Sequence, residues 1–559
     1  MLVLAAAFLA SAIAIWWSWS HAAFLLYGDA EAHIHIGRRL FDSHRPGITQ
    51  LGSVWLPLPH LLLVPFLFVD SWWRSGFAPV IPSATFYLLA CLGLYRLSRR
   101  WISPAAACMG LVLFAANPNL LYLQTTAMTE PLFLCELIWS VLLLVEWYAS
   151  LDIDEDRSGK LLWAVIAVLV AAVYTRYDGW ILAFIAWLAM AVSLYRRGRL
   201  FRTNFIVASV ILLLAPLSWM AYNAVVFGDW LDFMRGPYSA RAIELRTSSS
   251  AVDPHPGWHN VWVSLVYFVK ASEMDVAALG CGETIFAAAA FATGWAWLRL
   301  RHHAVQHVAV DAQLGHAHRE TERSVWAWTL LLWLPLPFYA YSVSYGSVPI
   351  FLPVWKPFSW YNTRYGMEML PALAFFFAFA VEAGLTWLRK NKPQYRQITL
   401  AILLLLLAAN FAEMLREGPL TYVEAKKNTD ARGYYNVVIA AALQQLHQQD
   451  PNGIVLMDTS TFPSIVPNAG LTYRQTINES DKQFYWAALG DPAGHASIVL
   501  AFAGDDIDKA VQAHPEHLRV YRRFHSQSQG WDQLDATIYV TDTFPAPQPQ
   551  SASTAVTGR

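Results

Sequence analysis

Apolar runs long enough to cross a hydrocarbon core recur along most of this chain. They lie near 3–25, 80–97, 104–122, 130–148, 161–176, 180–195, 205–226, 276–298, 325–345, 367–388 and 398–415. Each is close to the ~20 residues that a spanning helix needs. Such runs satisfy their backbone polar groups within a bilayer only as helices. The expected fold is therefore an all-α polytopic membrane domain with about eleven transmembrane helices. Of the 559 residues, 56% are hydrophobic and 14% charged, where soluble domains carry roughly 25% charge. The 26 Trp and 24 Tyr suit aromatic belts at the two interfaces. A net charge of −1 offers no basic face for nucleic acid. The four cysteines, at 91, 108, 135 and 281, form no metal-type pair, and a disulfide framework is not expected.

Basic clusters set the expected orientation. Arg96, Arg99 and Arg100, then Arg196, Arg197, Arg199 and Arg202, then Arg299, Arg301, Arg319 and Arg323, then Arg389, Lys390, Lys392 and Arg396 fall on one side if 54–69 does not cross. By the positive-inside rule that side is the cytoplasm. The segment 54–69 carries Pro57, Pro59, His60 and Pro65 and reads as interfacial or re-entrant. The N-terminus is then cytoplasmic, and loops 28–79, 227–275 and 346–366 are extracytoplasmic. The first run lacks a basic leader and is long for a cleaved signal, so it is expected to remain as an anchor.

Beyond about 416 the composition turns polar. Apolar runs at 453–457, 496–500 and 536–540 read as strands, and Tyr434–Gln449 and Asp505–His514 as amphipathic helices. The expected organisation is a transmembrane domain over 1–415, a soluble extracytoplasmic α/β domain over 416–544, and a disordered tail over 545–559. The loop 299–323 holds His302, His303, His307, His316 and His318, and reads as solvated rather than as a metal site.

Charge is unusual at the expected outer ends of the spans. Asp29 and Glu31 follow the first span, with His33 and His35 behind them. Gly52-Ser53-Val54-Trp55-Leu56-Pro57 and His60 lie in the first loop. Met128-Thr129-Glu130-Pro131 starts the fourth span. Thr175-Arg176-Tyr177-Asp178-Gly179-Trp180 joins the fifth and sixth. Trp360-Tyr361-Asn362-Thr363-Arg364-Tyr365 leads into the tenth. Intramembrane ionisable residues are costly and mark functional sites. A carboxylate can take the proton of an attacking hydroxyl. Arginine binds phosphate oxygens through a fixed fork of donors. Together they suit group transfer from a phosphate-linked, lipid-anchored donor, with Arg364 or Arg176, and Tyr365 beside them, meeting the leaving phosphate. His33, His35 and His60 read first as structural side chains, with metal ligation as the alternative. Asp29 and Glu31 have a structural reading too, as acids favouring a helix start. For Arg176 and Asp178 the structural alternative is a pair with each other alone.

These motifs, the many spans and the polar C-terminal segment resemble the GT-C superfamily of membrane glycosyltransferases, which includes protein O-mannosyltransferases, aminoarabinose transferases and oligosaccharyltransferases. The resemblance covers residues 1–415. It implies an isoprenoid-phosphate-linked sugar donor, a lipid, glycan or protein acceptor, and a first-loop acid as catalytic base or metal-coordinating carboxylate. By position Asp29 is the leading base, Glu31 a second acid and Glu130 a supporting one, with Trp55, His33, His60, Asp178 and Tyr361 around them. The family has adjacent acids where this chain has Asp29-Ala30-Glu31, so either acid fits. Metal use varies across the superfamily, which leaves a divalent cation open. The function expected is sugar transfer on the extracytoplasmic face of a bacterial-type inner membrane. A transporter or lipid flippase, or a non-catalytic protein on the same scaffold, are the alternatives. Against transport stand the lack of an internal repeat and the clustering of charge at one face.

Overall fold

The computed structural model describes residues 2–247, 255–278, 280–302, 325–525 and 535–545. The histidine-rich segment from His303 to His318 and the tail 546–559 lie outside the described residues. Among those described, eight helices are long and apolar enough to cross a membrane, or nine if Val261–Val276 and Cys281–Leu298 form one bent span. The chain is a multi-pass membrane protein.

Most expected spans appear as single helices: Leu2–Ser20, Val80–Arg99, Glu130–Ser150, Glu155–Thr175, Tyr177–Tyr195, Thr203–Phe227, Leu370–Asn391 and Arg396–Glu417. Two are built from pieces. The run 104–122 becomes Pro104–Ala115 and Pro118–Leu123. Asn117 ends the first and caps the second, its side chain accepting from the N–H groups of Asn119 and Leu120, with Pro118 at the first helical position. An Asn-Pro pair favours this start over continuation. The run 325–345 is a 3-10 stretch, Trp328–Trp333, followed by Pro335–Tyr345, where Pro335 cannot donate to the preceding turn. The segment 54–69 holds the 11-residue helix Pro57–Leu67. At 1.5 Å per residue it is roughly 16 Å long, about half of a ~30 Å hydrocarbon core.

The helices divide between two compact units that do not follow chain order. The first comprises Met1–Leu25, Ser53–Pro65 and Gly76–Lys426; the second comprises Leu26–Gly52, Phe66–Ser75 and Lys427–Arg559. In the first unit, Val80–Arg99, Glu130–Ser150 and Glu155–Thr175 pack in sequence, and Leu370–Asn391 packs against Pro104–Ala115 and Cys281–His302. Gly110 permits a close approach between Pro104–Ala115 and Leu370–Asn391, since a Cβ there would lie 2.5 Å from the carbonyl oxygen of Ala374. Without a hydrophobic drive between helices in lipid, such small-residue contacts carry association.

The second unit holds a five-stranded sheet: β1 Val455–Leu456, β2 Thr476–Ile477, β3 Ile498–Phe502, β4 Leu518–Phe524 and β5 Ala536–Thr541. Their order is β2-β1-β3-β5-β4. The first three are parallel, and β5 pairs antiparallel with β3 and β4. β1, β3 and β5 fall within or overlap the strands read from sequence. The two-residue β2 is too short to be seen that way, and Arg519, Arg522 and Arg523 interrupt the apolar pattern of β4. The core of this unit joins Leu456, Ile477, Val499, Ala501, Ile507 and Val511. Two parts of the first loop also fold here, with helices Gly28–Arg39 and Asp70–Ser75.

Candidate functional site

The two groups of expected site residues fall in different compact units, and each has its own geometry.

In the second unit, Asp29 and Glu31 lie in the first turn of Gly28–Arg39, and Arg38 and Arg39 in its last. This distribution complements the helix dipole at both ends. Asp29 is half-buried, whereas Glu31 is buried. Glu31 meets Arg432, Nη1 to Oε2, at 3.2 Å. Burial lifts the Glu31 carboxyl above its ordinary range, and the Arg432 charge and the Ser464 hydroxyl pull it partly back. Arg38 ties the far end of the helix to Asp42 at 2.8 Å and to Asp70 at 3.3 Å, and donates to the Leu67 carbonyl. His33 is buried. His35 is also buried and accepts from the Trp73 indole at 3.2 Å. Burial, with Arg39 and Arg38 nearby, lowers its pKa to about 3, so it is a neutral structural ring at physiological pH.

In the first unit the other motifs converge on a buried charge network. Glu130 is 0% exposed, and its Oε1 lies 3.2 Å from Arg364 Nε and 3.5 Å from Arg176 Nη1. Arg176 also meets Asp178 at 3.2 Å and Glu368 at 2.8 Å, and donates to Thr129 at 2.8 Å and to the Tyr339 hydroxyl at 2.7 Å. The Tyr339 hydroxyl in turn donates to Glu368 at 2.7 Å. Arg364 reaches Glu424 at 3.2 Å. That carboxylate also receives the N–H groups of Asn362 and Thr363 and the Thr363 hydroxyl. Tyr365 lies under both guanidiniums, its ring centre 5.0 Å from Arg364 and 5.5 Å from Arg176, and it stacks on Tyr339. Buried ions of this kind persist only where partners and hydrogen bonds compensate for lost water.

Arg176 and Asp178 thus pair with each other and also with Glu130, Glu368 and Tyr339. Both arginines meet carboxylates in this structure. Elsewhere in this unit His60 is buried and Trp55 half-buried. Tyr361 is exposed and pairs by backbone hydrogen bonds with Phe351. Within this unit the Tyr177 hydroxyl donates to the Val54 carbonyl at 2.7 Å.

Sequence reasoning missed Glu368, Tyr339, Glu424 and Arg432. Glu368 carried a signal: it is a charge at the entry of an apolar span, close after Arg364. Tyr339 sits in an aromatic run and has none. Glu424 and Arg432 lie past the last expected span, in what reads as a soluble domain. Among the described residues, no three His, Cys, Asp or Glu side chains come together to hold a metal ion. The divalent cation left open by the resemblance therefore has no assigned ligands.

No known family profile and no curated protein matches the chain. Solved structures do. ArnT from Cupriavidus metallidurans bound to undecaprenyl phosphate is similar over 98% of this chain and 99% of its own, with a TM-score of 0.51 and 12% identity. The same protein in the apo state gives 0.50, with 12% identity and 98% of each chain covered. The Archaeoglobus fulgidus oligosaccharyltransferase in complex with Zn and sulfate gives 0.46, with 12% identity, over 89% of this chain and 68% of its own. The chain shares the fold of the ArnT structures, along essentially its whole length.

Proposed function

We propose that this chain is an integral-membrane glycosyltransferase. It takes a hexosyl or pentosyl group from a polyprenyl-phosphate donor and delivers it to a lipid, glycan or protein acceptor on the extracytoplasmic face of the inner membrane. The N-terminus is cytoplasmic and the C-terminal segment extracytoplasmic. One observation carries this most: a half-buried aspartate heads the helix directly after the first span, in a chain folded end to end like a structure that holds undecaprenyl phosphate.

In this scheme the Asp29 carboxylate takes the proton of the acceptor hydroxyl. The acceptor oxygen bonds to the anomeric carbon, and the bond from that carbon to the phosphate oxygen breaks. The polyprenyl phosphate leaves with the bonding electrons. Glu31 is committed to Arg432, which favours Asp29 as the base. Glu130 supports the site. Arg364 and Arg176, with Tyr365, offset charge on the leaving phosphate, which must share them with their carboxylates.

The test is release of polyprenyl phosphate from synthetic sugar donors by the purified chain in lipid nanodiscs. Asp29→Asn keeps the shape but removes the base, so donor binding should persist while turnover falls about 10²–10⁴-fold. In sealed proteoliposomes, donor movement across the bilayer without bond cleavage would instead identify a flippase.

A further inference from the structure

We infer that Arg432 and Asn428 are positioning residues for the proposed catalytic base. This rests on Asp29 being that base. The first backbone N–H groups of a helix have no partner within it. Here the N–H of Gly28 donates to Asn428 Oδ1 at 2.9 Å. One residue on, the Thr429 hydroxyl donates to the Leu26 carbonyl at 2.7 Å. Four residues after Asn428, Arg432 reaches Glu31 at 3.2 Å and the Leu26 carbonyl at 3.5 Å. Positions 428, 429 and 432 share one face of helix Leu420–Gln449, as residues spaced by three and four do. That face grips the chain on both sides of Asp29, at Leu26, Gly28 and Glu31.

The grip is close. A Cβ on Gly28 would lie 2.2 Å from Arg432 Nη1 and 2.8 Å from Cζ. The guanidinium therefore rests directly on the Gly28 backbone, and only glycine admits it there. Asp29 is the next residue. Its side chain takes its direction from a backbone that these contacts hold from outside the helix. Glu31 belongs to the same device: its carboxylate is the anchor for Arg432 rather than a second base. Displacing a reacting group by about 1 Å can cost about 100-fold in rate. Loss of the grip should therefore appear in kcat and leave the donor KM nearly unchanged.

The experiment is a double-mutant cycle in the full chain in nanodiscs, read as kcat and donor KM. Arg432→Ala should lower kcat about 10–100-fold, with KM within about threefold. Arg432→Lys should recover part of the loss by restoring the charge near Glu31. Gly28→Ala should reproduce the loss in the wild-type background by pushing the guanidinium away. It should cost little more in the Arg432→Ala background, where the guanidinium it would displace is gone. Wild-type kcat in folded Arg432→Ala, or full additivity of the two substitutions, overturns the positioning role. An active Asp29→Asn overturns the base assignment itself, and is thereby distinguished from failure of the grip alone.

Discussion

The guanidinium Nε of Arg364 stands 3.2 Å from the Oε1 of Glu130, a carboxylate wholly removed from solvent. Two segments far apart in the chain each bury a charge, and each charge is the other's compensation. Arg364 also neutralises Glu424. Arg364→Ala should destabilise the protein by about 3–5 kcal/mol, because it leaves buried carboxylates uncompensated. Denaturant unfolding in micelles checks this. A loss below about 1 kcal/mol would mean that the pair is far better hydrated than its burial implies.

Arg364→Lys separates the structural from the chemical role. It keeps a positive charge but loses the planar fork. If Arg364 also meets the donor phosphate, kcat in the folded variant should fall about 10²–10³-fold. Wild-type turnover in that variant would confine Arg364 to the ion-pair network.

Gly366 lies between Arg364 and Glu368. A Cβ there would meet the carbonyl carbon of Ala271 at 2.5 Å and Asp275 Oδ2 at 2.6 Å. Gly366→Ala should cost about 1–3 kcal/mol through overpacking, seen as a lowered Tm. An unchanged Tm would show that helix Val261–Val276 yields easily.

Glu479 receives the N–H and hydroxyl of Thr459, after β1. Burial and the neighbouring Asp458 raise its pKa from 4.5 to about 7. Between those values the folded state holds a proton that the unfolded state has lost, so this contribution to stability falls as pH rises from about 4.5 to about 7. His35 has the opposite sign: its lowered pKa makes stability fall as pH drops below 6.5. Glu479→Gln should remove only the first effect. Hydrogen exchange over 455–459 and 476–480, corrected for intrinsic rates, should then lose its loosening between pH 5 and 8. The same pH profile in the variant would exclude Glu479 as its source.

A reporter fused at the C-terminus should lie outside the cytoplasm, and one placed after Arg197 inside it. A cytoplasmic C-terminus would reverse the face on which the proposed transfer occurs.

The spans were legible in the chain because a bilayer demands long apolar helices, and that demand is local. Asn117-Pro118 and Pro335 show where it is not enough: the runs are apolar throughout, and only capping and missing donors reveal the breaks. The acids and arginines at the span ends were legible for a related reason, since charge stands out against apolar sequence. Their partners were not. Glu424 reads as one more polar residue in a polar stretch, and its value as a counter-ion to Arg364 arises from proximity across 60 positions.

Sequence alone therefore determined that this chain is polytopic, that Asp29 and Glu31 head the first loop, and that β1, β3 and β5 lie near its end. Hydropathy and the cost of burying charge act on each stretch separately. Only the tertiary structure decided that Glu31 belongs to Arg432, that Glu130 bridges two arginines, and that Leu26–Gly52 and Phe66–Ser75 fold with residues after Lys427. Ion pairing depends on distances of a few ångströms in space, and separation along the chain carries no record of them.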